Sequence, residues 1–217
     1  MNAHTEPRWL SGPAGRLEFA IDLPAPAPTA SALAGGLAVV CHPHPLHGGT
    51  MGNKVVQTLA RAFVQLGLTA VRFNFRGVGA SEGAWDAGRG EVDDARAVVG
   101  ALRQPGQPLV LAGFSFGAYV ASCVAADLGS GDRAAWTVLV GPAAANFPVA
   151  PAAEGTLVVH GEADDVVPLQ AVLDWARPLG QPVTVVPGAG HFFHGQLALL
   201  KRLVTDAGRA IVPTPLP

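Results

Sequence analysis

The chain has 217 residues, of which 49% are hydrophobic and 14% charged, with a formal net charge of −2. That length and apolar content suit one α/β domain over residues 1–217 with a full core, and they exclude a disordered chain. The near-neutral charge leaves no basic footprint for nucleic acid or for an anionic membrane surface.

The opening segment MNAHTEPRWLSGPAGRLEF has no basic stretch followed by an apolar run, so no secretory signal is expected. The apolar stretch that follows is broken by Pro24, Pro26 and Pro28, which rules it out as a membrane span. The Pro/Ala segment Pro24 to Ala34 reads as a surface connection. The two cysteines, Cys41 and Cys123, are too few for a disulfide framework and read as core thiols of a cytoplasmic protein.

Strand and helix patterns then alternate. Early strands around Arg16 to Leu23 read as an antiparallel edge, and Leu37 to Cys41 as a short buried strand ended by His42-Pro43. Asn53 to Leu66 places Val55, Val56, Leu59, Phe63 and Leu66 on one helical face, with Asn53 as N-cap. A strand over Thr69 to Phe75 leads into the turn Arg76-Gly77-Val78-Gly79, and a helix follows from Glu91 to Leu102. Pro108 to Phe114 is a strand and Phe116 to Leu128 a helix. Trp136 to Val140 and Thr156 to His160 are strands, Leu169 to Leu179 a helix, Pro182 to Val186 a strand and Gly195 to Ile211 the last helix. Repeated βα units with apolar strands predict a mostly parallel, doubly wound sheet. Functional groups then belong at the carboxyl ends of its strands.

Ser115 sits at one such end, in Gly113-Phe114-Ser115-Phe116-Gly117, between a strand and a helix. A nucleophile elbow needs that sharp turn, with glycines where backbones must approach closely. A serine hydroxyl needs a base, and the base an orienting acid. Downstream, in that chain order, lie Gly161-Glu162-Ala163-Asp164-Asp165 and Gly188-Ala189-Gly190-His191, each just after a strand. Asp164 is favoured as the acid over Asp165 and Glu162, and His191 as the base over His194. His160 reads as a packed or hydrogen-bonded histidine. The oxyanion donors would be the amides of Phe116 and of His44, with Leu46 in reserve, because Pro43 and Pro45 carry no N–H.

His42, His44 and His47 also raise a metal site. Their irregular, proline-rich spacing without an adjacent acid weighs against it; one histidine packing under the loop and the others at the site entrance is the expected arrangement. Gly48 to Lys54 lacks the adjacent Gly-Lys and the hydroxyl of a P-loop, and Gly77-Val78-Gly79 lacks the rest of a dinucleotide fingerprint. No cofactor and no metal are expected.

In this order, the segments CHPHPLHGGTMGNKVV, RFNFRGVGASEG, GFSFG, HGEADDVVP and PGAGHFFHG resemble the small bacterial α/β hydrolases with a His-Pro-His-Pro loop. These are related to the dienelactone-hydrolase-like and serine-aminopeptidase-like groups. The likeness runs from about residue 15 to residue 212. It implies an α/β-hydrolase fold and a Ser115, Asp164, His191 triad. Dienelactone hydrolases proper carry cysteine at the elbow, so Ser115 argues against their substrate.

The longest connection at the functional edge, Gly141 to Gly155, is too short for a cap domain, so an open groove is expected. Phe114 and Phe192 are candidate walls of an apolar acyl pocket. The expected activity is cleavage of a small ester or thioester through an acyl-enzyme on Ser115. Its partner would be a small acyl substrate, and the protein a monomer or homodimer. Small-amide hydrolysis, acyl transfer or perhydrolysis with the same triad, and a non-catalytic binding scaffold, are the alternatives.

Overall fold

A computed structural model describes residues 8–25, 31–129 and 131–211. The start of the expected leaderless segment and the middle of the Pro/Ala connection lie outside the described residues.

The strands are β1 (Arg8–Gly12), β2 (Gly15–Asp22), β3 (Leu37–Cys41), β4 (Thr69–Phe73), β5 (Leu109–Phe114), β6 (Trp136–Val140), β7 (Leu157–Gly161) and β8 (Thr184–Val186). The helices are α1 (Lys54–Gln65), α2 (Arg89–Leu102), α3 (Phe116–Asp127), α4 (Leu169–Ala176) and α5 (Leu197–Arg209). All eight strands form one sheet in the order β1-β2-β4-β3-β5-β6-β7-β8. β3 to β8 are mutually parallel, while β2 runs antiparallel to β4, and β1 antiparallel to β2.

Alternation along the strands divides the core in two. Val39, Val71, Leu111 and Leu139 face α2 and α3, packing on Val98, Phe116 and Val120. Val40, Ala112, Val138 and Val159 face α1 and α5, packing on Leu59, Phe63, Leu200 and Val204. The central strands β3 to β7 are thus buried on both sides, which is why they read as nearly continuous apolar runs.

Most element ends match the sequence pattern, and Asn53 Oδ1 accepts the Val55 N–H at 2.8 Å as the expected cap of α1. Three differences have local causes. The expected antiparallel edge is a hairpin of β1 and β2 that begins earlier, at Arg8, and turns at Gly12–Gly15, with β2 pairing inward on β4. β4 stops at Phe73, because the Phe75 N–H donates to His42 Nε2 at 3.1 Å instead of a neighbouring strand. α4 stops at Ala176 and tightens into a 3₁₀ turn over Arg177–Leu179, where Pro178 supplies no N–H.

Candidate active site

β5 delivers Ser115 at its carboxyl end. The residue adopts φ 57° and ψ −119°, a conformation that non-glycine residues avoid. The turn is so tight that a methyl on Gly113 would overlap the Gly117 carbonyl, and one on Gly117 the Cys41 carbonyl. α3 begins immediately, and Phe116 at its first position has an N–H with no acceptor within the helix.

β7 and β8 bring the other two groups. His191 Nε2 lies 3.0 Å from Ser115 Oγ, and His191 Nδ1 lies 2.7 Å from Asp164 Oδ2. A carboxylate only accepts, so Nδ1 carries the imidazole proton and Nε2 is left to accept from the serine hydroxyl. All three side chains are buried. Asp164 Oδ1 also accepts the N–H groups of Val166 at 2.9 Å and Val167 at 2.8 Å. Burial by itself would raise the Asp164 pKa. The hydrogen bonds from His191, Val167 and Val166 outweigh it and hold the carboxyl below its usual range.

The neighbours weighed against these residues stand elsewhere. Asp165 is exposed, and Glu162 accepts the Gly188 N–H at 2.9 Å. His194 is exposed and meets the Phe192 ring, not Ser115 or Asp164. His160 is buried, as a packed histidine should be.

The loop after β3 divides its histidines. His42 is wholly buried, with Nδ1 donating to the Pro43 carbonyl at 2.6 Å and Nε2 accepting from Phe75. Both of its ring nitrogens are thereby engaged, which removes it from any shared metal set. Among the described residues, no cluster of histidine, cysteine, aspartate and glutamate is placed to hold a metal ion. His44 is half-buried, and its Nδ1 accepts the Leu46 N–H at 3.2 Å. That bond occupies the reserve oxyanion donor and leaves His44 as the candidate from this loop.

The aromatic surroundings differ from the sequence reading. Phe114 is fully buried and packs on the His191 ring at 4.8 Å between centroids. As the last residue of β5 its side chain falls on the α1–α5 face of the sheet, so it supports the imidazole and does not wall a pocket. Phe192 is 42% exposed and stands edge-on to His191 at 5.1 Å. On the other flank His44, Trp85, Phe116, Phe147 and Tyr119 form a cluster absent from the sequence reading. Trp85 and Phe147 are half-buried members from the loops after β4 and β6. Their one sequence signal was an aromatic residue in a loop at the carboxyl edge. The connection between β6 and β7 contains turns and no helix.

A mostly parallel eight-stranded α/β-hydrolase sheet, with serine, histidine and aspartate in relay geometry at its uncapped edge, defines a serine hydrolase. The family model for serine aminopeptidase, S33, matches residues 44–154, and the chain belongs to that family. It is similar to XC6422 from Xanthomonas campestris, an α/β serine hydrolase without a lid. Identity is 41%, the TM-score is 0.86, and the match covers 100% of this chain and 99% of that one. An α/β serine hydrolase homologue from Coxiella burnetii is also 41% identical, with a TM-score of 0.79 over 93% of this chain and 96% of that one. The uncharacterized protein RP471 of Rickettsia prowazekii is 44% identical over 116 residues, which are 52% of this chain and 46% of that protein. The chain thus spans about half the length of that curated relative. Among the described residues, no helix is long and apolar enough to cross a membrane.

Proposed function

We propose that this protein hydrolyses small esters or thioesters through an acyl-enzyme on Ser115. The observation that carries the reading is the relay from Ser115 Oγ to His191 Nε2 (3.0 Å) and from His191 Nδ1 to Asp164 Oδ2 (2.7 Å). One hydrolase domain over residues 1–217 accounts for the single sheet.

Ser115 Oγ attacks the acyl carbon as its proton passes to His191 Nε2. Asp164 holds the imidazole tautomer and stabilises the imidazolium. The amides of Phe116 and His44 receive the oxyanion. The bond to the leaving group then breaks, and His191 gives that group its proton. Water, deprotonated by His191, releases the acid and regenerates Ser115. The acyl group lies between the aromatic cluster of Trp85 and Phe147 and the exposed ring of Phe192. Small amides are the second substrate class, on the strength of membership in a family described as serine aminopeptidases. The free thiols of Cys41 and Cys123 suit a reducing compartment, and the cytoplasm is the proposed location.

A fluorophosphonate probe tests the assignment. Wild-type protein should label and Ser115→Ala should not, while nitrophenyl esters of increasing chain length rank the acyl group. Undiminished labelling of Ser115→Ala overturns the reading.

A further inference from the structure

His160 is the penultimate residue of β7, wholly buried beside Asp164. Its Nε2 lies 3.0 Å from the Val167 carbonyl oxygen and 3.5 Å from Asp164 Oδ2. Both are acceptors, so Nε2 carries the proton. Its Nδ1 is buried and has no hydrogen-bond partner among the described residues. An unpartnered buried nitrogen costs stability that an apolar side chain of similar volume would not. Packing by itself is therefore a poor reason for a histidine here.

The contacts supply a better one. Val167 accepts from His160 through its carbonyl and donates its own N–H to Asp164 Oδ1 at 2.8 Å. The imidazole thus grips the 164–167 turn that grips the carboxylate, and it faces Oδ2, the oxygen that receives His191. We propose that His160 is a positioning residue for Asp164, a neutral Nε2–H donor that holds the turn and aims Oδ2 at His191. This inference rests on the triad reading above.

Neutrality is central to the role. A cation beside Asp164 would draw on the negative charge that the His191 imidazolium requires. A neutral N–H orients the carboxylate and leaves most of that charge in place. Protonation of His160 would put a charged N–H on Nδ1 with no acceptor. Burial holds its pKa below the ordinary value, opposed by Asp164 and the Val167 carbonyl and reinforced by His191.

Two substitutions separate positioning from packing. His160→Leu fills the space without a donor, and His160→Gln places an amide donor near the position of Nε2. The readouts are kcat, KM and the acid limb of kcat/KM on a nitrophenyl ester, with thermal unfolding as a check. Among the described residues, the polar and titratable groups facing His191 are Ser115, Asp164 and, behind Asp164, His160. Glu162 is bonded to Gly188, and His194 meets Phe192. His160→Leu should lower kcat by roughly 10- to 100-fold with KM little changed. Its acid limb should move to lower pH, because a carboxylate no longer aimed at His191 stabilises the imidazolium less. His160→Gln should recover most of both.

Wild-type kcat and acid limb in a folded His160→Leu overturn the proposal. So do equal losses in both variants with the limb unmoved or raised, since that pattern marks packing. Should His160→Leu not fold, imidazole ¹⁵N resonances of the wild-type protein decide: a proton on Nδ1, or a charged ring at pH 6, overturns it. Labelling of Ser115→Ala would instead bring down the underlying triad reading, which keeps the two failures distinct.

Discussion

Gly117 passes so close under the carbonyl of Cys41 that a methyl group there would overlap it. This contact seats the first turn of α3 against the end of β3, and so brings the elbow beside the loop that carries His44. Gly117→Ala should destabilise the fold by at least about 2 kcal/mol and abolish fluorophosphonate labelling. Gly100→Ala is the control. That glycine lies in α2 with open space around its Cα, and the change should be neutral or stabilising by about 0.5–1 kcal/mol. Denaturant midpoints of the two variants check the contrast.

Ser115 holds a backbone conformation that glycine adopts without strain. Ser115→Gly and Ser115→Ala both remove the hydroxyl, so both should be inactive. Their difference isolates the backbone: Ser115→Gly should be the more stable by about 1 kcal/mol. Equal unfolding midpoints would show that the elbow stores no strain.

Burial pushes the His42 pKa down to about 4, against an opposing hydrogen bond to the Pro43 carbonyl. The folded pKa lies below the unfolded value near 6.5, so on acidification the unfolded chain takes up this proton first. The stability linked to neutral His42 is complete above pH 6.5 and is lost as the pH falls towards 4, on the order of 3 kcal/mol in all. Chemical denaturation across that window should show a decline in wild-type protein. His42→Gln should be less stable at pH 7 and flatter below it. Parallel profiles would remove His42 as the source.

Trp85 flanks the elbow through its contacts with His44 and Phe116, at 4.5 and 5.1 Å between ring centroids. Trp85→Ala should lower kcat/KM about tenfold for medium-chain nitrophenyl esters, through the lost apolar wall, and leave acetate nearly unchanged. Labelling of Ser115 should persist. A loss of the same size at every chain length would place Trp85 outside the path of the acyl group.

The order of the elements and the positions of Ser115, Asp164 and His191 were legible from local pattern. Parallel strands align their carboxyl ends, so residues just past the ends of β5, β7 and β8 must converge however far apart they lie in the chain. The elbow was legible too, because its two glycines answer a steric need within five residues. Local pattern favoured Asp164 over Asp165, but it could not show the turn that Val166 and Val167 close around that carboxylate. Nor could it assign Phe114 to support of His191, or gather Trp85, Phe147 and His44 around Phe116. The role proposed for His160 likewise depends on where the turn returns Val167. The sequence by itself determined which residue types stand at the edge of the sheet, because strand period and turn chemistry act over a few residues. Only the tertiary structure decided which of them touch, because those contacts join loops whose relative placement is set by packing on both faces of the sheet.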